Sequence, residues 1–319
     1  MKMSLTELVA ITRKAIRHYG YTEKETDVIL DVLLYAQLSG KNQGVVKLIG
    51  KGIPKQPAGD IVIDKETKLS ARINGNRNMG MLVMKEATKI ALTKAQEHGF
   101  GIVGTYNTNT STGSIGYYAR EIAKHGFIGF VFSGSPETIS PHGSYQPLFG
   151  TNPMAIGVPT DDEPMVLDMA TAAIPWYGLV EAKTAGKKID PSIVYDKEGN
   201  PTDDPAKAMD GAIRPFDKSY KSSGLALMIE VLTGPLVGAA FCGIGNADNW
   251  GNLVLVIDPN LVGADDFAHR VSELVTKVKN AKKLPGVTEI YLPGEKGRKL
   301  SKRRIAADEI DIEDHLYKE

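Results

Sequence analysis

Four loop clusters carry residues whose types and spacing suit chemistry. The first runs from Tyr106 to Gly113 (YNTNTSTG), where hydroxyl- and amide-bearing side chains lie between an apolar run and a helical pattern. At the carboxyl end of a strand, feeding a helix N-terminus, such a run offers hydroxyls and backbone N–H groups to an anion or a sugar-phosphate. The same residues also suit a well-capped βα loop. The second cluster is Ser133 to Gly143, followed by Gly150-Thr151-Asn152-Pro153. Pro136, Pro141 and Pro153 make it a rigid, irregular loop of the kind on which sites are mounted. His142 within it reads, by itself, as surface or hydrogen-bonded scaffold. The third is Asp168, which finishes an apolar stretch beginning at Met165 and suits either a helix cap or a site carboxylate. The fourth, Lys221 beside Ser222, opens an apolar segment, and by itself such a lysine faces solvent.

These loops need elements to hold them. Ser4 with Glu7 and Thr22 with Glu25 are capping-box patterns ahead of apolar residues at helical spacing, which predicts helices ending at Gly20 and at Ser39-Gly40. A short third helix is expected from Gly44 to Lys51, closed by Gly52 and Pro54, and Pro54 to Asp60 reads as a linker. Beyond it strands and helices alternate: strand Leu69 to Ile73, helix Met81 to His98, strand Gly101 to Thr105, helix Ser114 to His125 and strand Phe127 to Phe132. Met154 to Val158 and Met165 to Asp168 are further strands. Leu225 to Leu232 fits helix or strand, with Ser222-Ser223 favouring helix. Leu253 to Ile257 is a strand and Asp265 to Lys279 an amphipathic helix. The alternation indicates a layered α/β body.

Composition narrows the classes. Among 319 residues, 38 Lys plus Arg balance 38 Asp plus Glu, so nothing pulls the molecule toward nucleic acid or an anionic membrane. The basic stretch Lys296 to Arg304 reads as a solvated face. Cys242 is the only cysteine, which excludes an intrachain disulfide, and its small apolar neighbours suggest an inert buried thiol. No Cys/His spacing suits zinc, and no ligand cluster suggests another metal. Charges at Lys2 and Glu7 argue against a signal peptide, and no stretch approaches the roughly 20 apolar residues that span a bilayer, so a cytoplasmic protein is expected. Neither a strand-linked Gly-x-Gly-x-x-Gly nor a Walker A sequence is present, and pattern alone therefore names no cofactor.

Taken together, the clusters resemble the malate/L-lactate dehydrogenase family, which also includes ureidoglycolate dehydrogenase, diketogulonate reductase and cyclic ketimine reductase. The resemblance is carried by Gly113 to Ala119, Pro141-His142-Gly143, Gly150 to Pro153, Leu167 to Thr171, Pro201 to Pro205, Leu225 to Leu232 and Pro293-Gly294-Glu295, in order over nearly the whole chain. It implies an α/β, mixed-sheet, non-Rossmann dinucleotide-binding fold. Residues 1–65 would form an N-terminal helical segment contributing Lys41 to Lys47 to the site, and 66–319 the binding body. It further implies NAD or NADP, a homodimer with sites near the subunit interface, and hydride exchange with a small 2-oxo or 2-hydroxy acid. A cyclic ketimine acid is the alternative substrate. In such relatives the positions matching Ser135, Asp168, Met169, Ala170, Lys221, Gly294 and Glu295 lie along the cofactor, and His142 is counted with them.

The departures fall on the chemistry. The family's Ser-His-Gly reads Asn42-Gln43-Gly44 here, its following arginine reads Lys47, and its second histidine is matched by Ser111; Ser222 stands where relatives have glycine. Glutamine has no accessible pKa, and serine relays a proton only with a partner base. The expected roles are therefore Lys47 holding a substrate carboxylate as a point charge. Gln43 and Ser111 would donate to the carbonyl oxygen. Asp168, Lys41 or a tyrosine (Tyr117 or Tyr118) would supply the proton. Loss of catalysis with retention of the dinucleotide site is the other reading. Lys187-Lys188 suits either a 2′-phosphate or plain solvation.

Overall fold

The computed structural model describes residues 2–51, 53–314 and 317. The chain runs β1 (Lys2–Met3), α1 (Leu5–His18), α2 (Glu23–Leu38), β2 (Val62–Glu66), β3 (Ser70–Asn74), α3 (Gly80–His98) and β4 (Phe100–Thr108). There follow α4 (Gly116–Lys124), β5 (Ile128–Ser133), β6 (Met154–Val158), β7 (Met165–Met169), α5 (Trp176–Thr184), β8 (Val194–Tyr195) and α6 (Pro205–Asp210). The last third holds β9 (Ala212–Ile213), α7 (Tyr220–Thr233), β10 (Trp250–Ile257), α8 (Phe267–Lys279), α9 (Glu295–Ala307) and β11 (Ile310–Asp311).

Local signals set the first helices. Ser4 Oγ accepts from the Glu7 N–H, and Thr22 with Glu25 forms a complete capping box. The expected third helix is a 3-10 turn, Val45–Lys51, and the expected stop at Gly52 lies outside the described residues. The second signal of the chain, alternation, produces a seven-stranded sheet in the order β2-β3-β4-β10-β5-β6-β7. Only β3 and β4 pair in parallel; the other neighbours are antiparallel, so the sheet is mixed, as expected. Because β10 inverts between β4 and β5, and β6 between β5 and β7, strands β4, β5 and β7 all point the same way. Their carboxyl ends share one edge of the sheet, and each of the polar clusters at 106–113, 133–143 and 168 follows one of them.

The helices come close where glycine allows it. A Cβ at Gly101 would collide with the Ala91 carbonyl of α3, and one at Gly157 with the Ala119 carbonyl of α4. The main core joins both parts of the chain: Ile16, Ile29 and Leu33 of the N-terminal helices pack with Met81, Met84, Val103, Tyr118 and Val254. Strand β2 runs across residue 65, and β1 pairs with β11, bringing the two ends of the chain together. A smaller core of Ile139, Phe149, Ala172, Leu179, Val194, Ala208, Ile213 and Ala226 organises α5, α6 and the β8–β9 pair beside the sheet edge. Among the described residues no helix is long and apolar enough to cross a membrane.

Candidate active site

A cavity of about 810 Å³ opens at the shared strand edge, between the 41–47 segment, the three strand-end loops and the start of α5. That volume is within the range of small-molecule and cofactor sites, roughly 300–1,000 Å³. Lys41, Gln43, Lys47, Ser111, Ser135, Asp168, Met169 and Ala170 all line it, so most of the residues singled out in the sequence meet there.

Asp168, next to last in β7, lies under two donors, Lys41 Nζ at 2.5 Å and Ser114 Oγ at 2.6 Å. Its carboxylate rests against the first turn of α4: a Cβ at Gly116 would lie 2.7 Å from Asp168 Oδ2. Negative charge is favoured at a helix N-terminus, and α4 has no side-chain cap of its own. Glycine at 116 is what lets carboxylate and helix meet. Asp168 is thus a carboxylate held in place through Oδ2.

Lys47 has a different setting. It has no exposed surface, its Nζ donates to Ser111 Oγ at 2.7 Å, and it lies 3.5 Å from the centre of the Tyr177 ring. No carboxylate pairs with it among the described residues, and burial pushes its ammonium well below the usual lysine range. The face of Tyr177 favours the cation but does not replace water. Ser111 Oγ also accepts from the Gly113 N–H at 3.0 Å. With both lone pairs taken, its hydroxyl hydrogen is the part left for a ligand. Gln43 has no side-chain hydrogen bond among the described residues, so its amide is available too.

The loop around Ser111 is held out of ordinary backbone space. Asn107, Thr110 and Gly113 have φ of 52°, 59° and 74°. For a β-branched residue such as Thr110 this is strained, and strain of this type gathers at functional sites. Thr110 Oγ1 and Thr138 Oγ1, both in residues lining the cavity, are buried without a hydrogen-bond partner among the described residues. Buried hydroxyls are normally satisfied, so a polar ligand with acceptor oxygens fits here.

Other expected residues lie elsewhere. His142, Lys221, Gly294 and Glu295 are not among the residues lining the cavity. The His142 N–H donates to Ser223 Oγ at 3.0 Å, and the Lys221 N–H to the cap Ser219 Oγ at 3.1 Å. Gly294 starts α9 at φ 75°, where a Cβ would press on the Val166 carbonyl, and Glu295 is engaged by Lys279, Lys299 and the Leu292 N–H. Tyr117 and Tyr118 turn inward: Tyr118 donates to the Thr112 carbonyl, Tyr117 meets Lys85, and burial raises both phenols. Lys187 and Lys188 pair with Glu313 and Asp203 at the surface. Cys242 is half-buried, and burial with the neighbouring Glu230 and Glu137 carboxylates pushes its thiol up to about 11, which suits an inert group.

The sequence reading assigned no element to 172–190 and so missed Trp176 and Tyr177, which α5 inserts into the cavity wall. Glu181 of the same helix accepts from the Asn42 amide, tying α5 to the 41–47 segment. Pro175 directly before two aromatics was the available signal for a helix start.

A family model for malate/L-lactate dehydrogenase matches residues 3–319. The chain is 34% identical to an L-sulfolactate dehydrogenase of Methanothermobacter thermautotrophicus, over 98% of this chain and 93% of that protein. Among solved structures it is similar to a dehydrogenase from Sinorhizobium meliloti, with a TM-score of 0.89, 28% identity and coverage of 100% and 97% of the two chains. It is also similar to the Δ1-piperideine-2-carboxylate reductase of Pseudomonas syringae, with a TM-score of 0.84, 26% identity and coverage of 100% and 98%. Sequence and fold thus agree over the whole length, and the chain belongs to the malate/L-lactate dehydrogenase family.

Proposed function

We propose that the protein is a nicotinamide-dependent oxidoreductase that interconverts a small 2-oxo acid and its 2-hydroxy acid, of the malate or lactate type. The observation that carries this reading is the shared strand-end cavity, where two lysines, one engaged aspartate and free hydroxyl and amide donors converge. When bound, NAD or NADP supplies or accepts the hydride. Ser135, Asp168, Met169 and Ala170 would hold it, and the unpartnered hydroxyls of Thr110 and Thr138 suit its polar oxygens. Lys41 uses two of its three N–H donors on Ser114 and Asp168, which leaves one to draw a substrate carboxylate. Gln43 and Ser111 donate to the carbonyl oxygen, where charge develops.

A cyclic ketimine acid is the second reading, favoured by the charge of the wall. Glu137 and Asp168 line the cavity with Lys41 and Lys47, burial disfavours the charged form of Lys47, and a substrate that pairs a protonated imine with a carboxylate suits that mixed wall. A homodimer in the cytoplasm remains part of the proposal; the exposed apolar residues Leu227, Met228 and Val231 on α7 support an interface there. The test is oxidation of NADH and of NADPH across oxaloacetate, pyruvate, sulfopyruvate and cyclic ketimines. Turnover with one of these identifies substrate and cofactor together. Cofactor binding without turnover on any of them sinks the enzymatic reading.

A further inference from the structure

We infer that Ser111 is the group that hands a proton to the substrate oxygen, and that Lys47 is the buried reservoir that refills it. The inference rests on the reading of the cavity as a hydride-transfer site. Three observations carry it. Lys47 stands in the cavity wall with no exposed surface, its Nζ covered by Ser111 Oγ and the Tyr177 ring. Nζ and Oγ are 2.7 Å apart, and the Gly113 N–H fixes Oγ from the other side, which directs the hydroxyl hydrogen away from both. The remaining ionisable side chains in the wall are committed elsewhere. Lys41 and Asp168 hold one another, the Glu137 carboxylate accepts from the Gly243 N–H at 2.6 Å, and burial raises the Tyr177 phenol out of the working range.

In the reduction direction the carbonyl carbon would receive a hydride, two electrons with one hydrogen, from a bound reduced nicotinamide. The C=O π bond breaks, and the oxygen takes the Ser111 hydroxyl proton. Ser111 Oγ takes a proton from the Lys47 ammonium, which is left as a neutral amine. In the oxidation direction each transfer reverses, with neutral Lys47 receiving the proton. Burial lowers the ammonium from the usual lysine range, the direction that suits an amine that must both give and take. Reduction accordingly falls as pH rises through the Lys47 ionisation, and oxidation rises.

The experiment compares wild type with Lys47→Arg, Lys47→Met, Ser111→Ala and Ser111→Thr. It measures kcat against pH for the substrate identified in the panel, NADH affinity by fluorescence, and urea unfolding at several pH values. Arginine keeps the charge and cannot release its proton, so it separates a relay from a carboxylate anchor. The expected result is a loss of kcat of about 100-fold or more in Lys47→Arg, Lys47→Met and Ser111→Ala, the usual scale for general acid–base groups. Cofactor affinity should hold in all of them, Ser111→Thr, which keeps the hydroxyl, should lose far less kcat than Ser111→Ala, and the pH dependence of kcat should disappear in Lys47→Met. Retained kcat in Lys47→Arg, or a loss confined to KM, overturns the relay and leaves the oxidoreductase reading standing. A wild type inactive on the whole panel overturns both, and the unfolding data then report only the charge of Lys47.

Discussion

Replacing Lys47 by methionine should make the protein more stable at neutral pH, by an amount that shrinks as pH rises. Methionine keeps the unbranched apolar stem and removes the amine. In the fold the amine is fully buried and has no carboxylate partner among the described residues, so burial favours its neutral form; in the unfolded chain it titrates near 10.5. Between the depressed folded pKa and 10.5 the unfolded chain binds one more proton than the fold. Wild-type stability therefore rises with pH across that window, with a limiting slope of about 1.4 kcal/mol per pH unit from this one group. The variant lacks the term. Urea unfolding at a fixed protein concentration, at pH 7, 8 and 9, measures it directly. The stability difference, variant minus wild type, should be largest at pH 7 and close by up to about 1.4 kcal/mol per unit. The lost Lys47–Ser111 hydrogen bond offsets about 1 kcal/mol of the gain, but it does not create a slope. A difference that stays flat across the three pH values refutes the reasoning, because it means that Lys47 keeps its proton in the fold.

Three further outcomes follow from the same geometry. Gly116→Ala places a Cβ 2.7 Å from Asp168 Oδ2 and must displace that carboxylate, so kcat should fall by about 10- to 100-fold with little change in Tm; unchanged kcat means that Asp168 need not sit where it does. Asn152→Leu removes the amide that donates to the Glu230 carboxylate at 2.6 Å and to the Ala226 carbonyl at 3.0 Å, leaving a buried acid that burial already raises; denaturant unfolding should show a loss of about 1–3 kcal/mol. Gln43→His puts an ionisable ring into the cavity wall, and 2-hydroxy acid oxidation should gain rate as pH rises through the imidazole range; a rate that ignores pH places residue 43 away from the reacting oxygen.

Elements announced by local chemistry were legible from the chain. Ser4 and Thr22 cap the first two helices, and Gly99 closes α3 in the left-handed conformation. Elements that depend on distant partners were not. All five residues of β2 are exposed at the sheet edge, so they show no alternation to read. Helix α9 has no apolar stripe; it is held by Lys299 pairing with Glu289 and Glu295, and by Arg304 donating to the Gln37 and Leu38 carbonyls at the end of α2. Most of its basic run is solvated, as its composition suggests, and only the contact of Arg304 with the end of α2 depends on a partner far along the chain. The same limit applied to the site. The types of Gln43, Lys47, Ser111 and Asp168 marked them as chemistry, but nothing local to Lys47 shows that Tyr177 covers it.

That cover decides what the lysine can do. The cavity wall contains Lys41, Lys47, Glu137 and Asp168, and the fold does not share the charges evenly. Asp168 goes to Lys41, which is one-third exposed and keeps access to water, and α4 adds its N-terminus to the same carboxylate. Lys47 receives a hydroxyl and an aromatic face instead. Had Asp168 been given to Lys47, the pair would have locked the ammonium in place and ended its exchange with Ser111. An exposed lysine would likewise hold its proton throughout the physiological range. Burial without an acid partner instead lowers the amine from the usual lysine range. The arrangement costs stability, which is why removing the amine should strengthen the fold while it weakens the reaction.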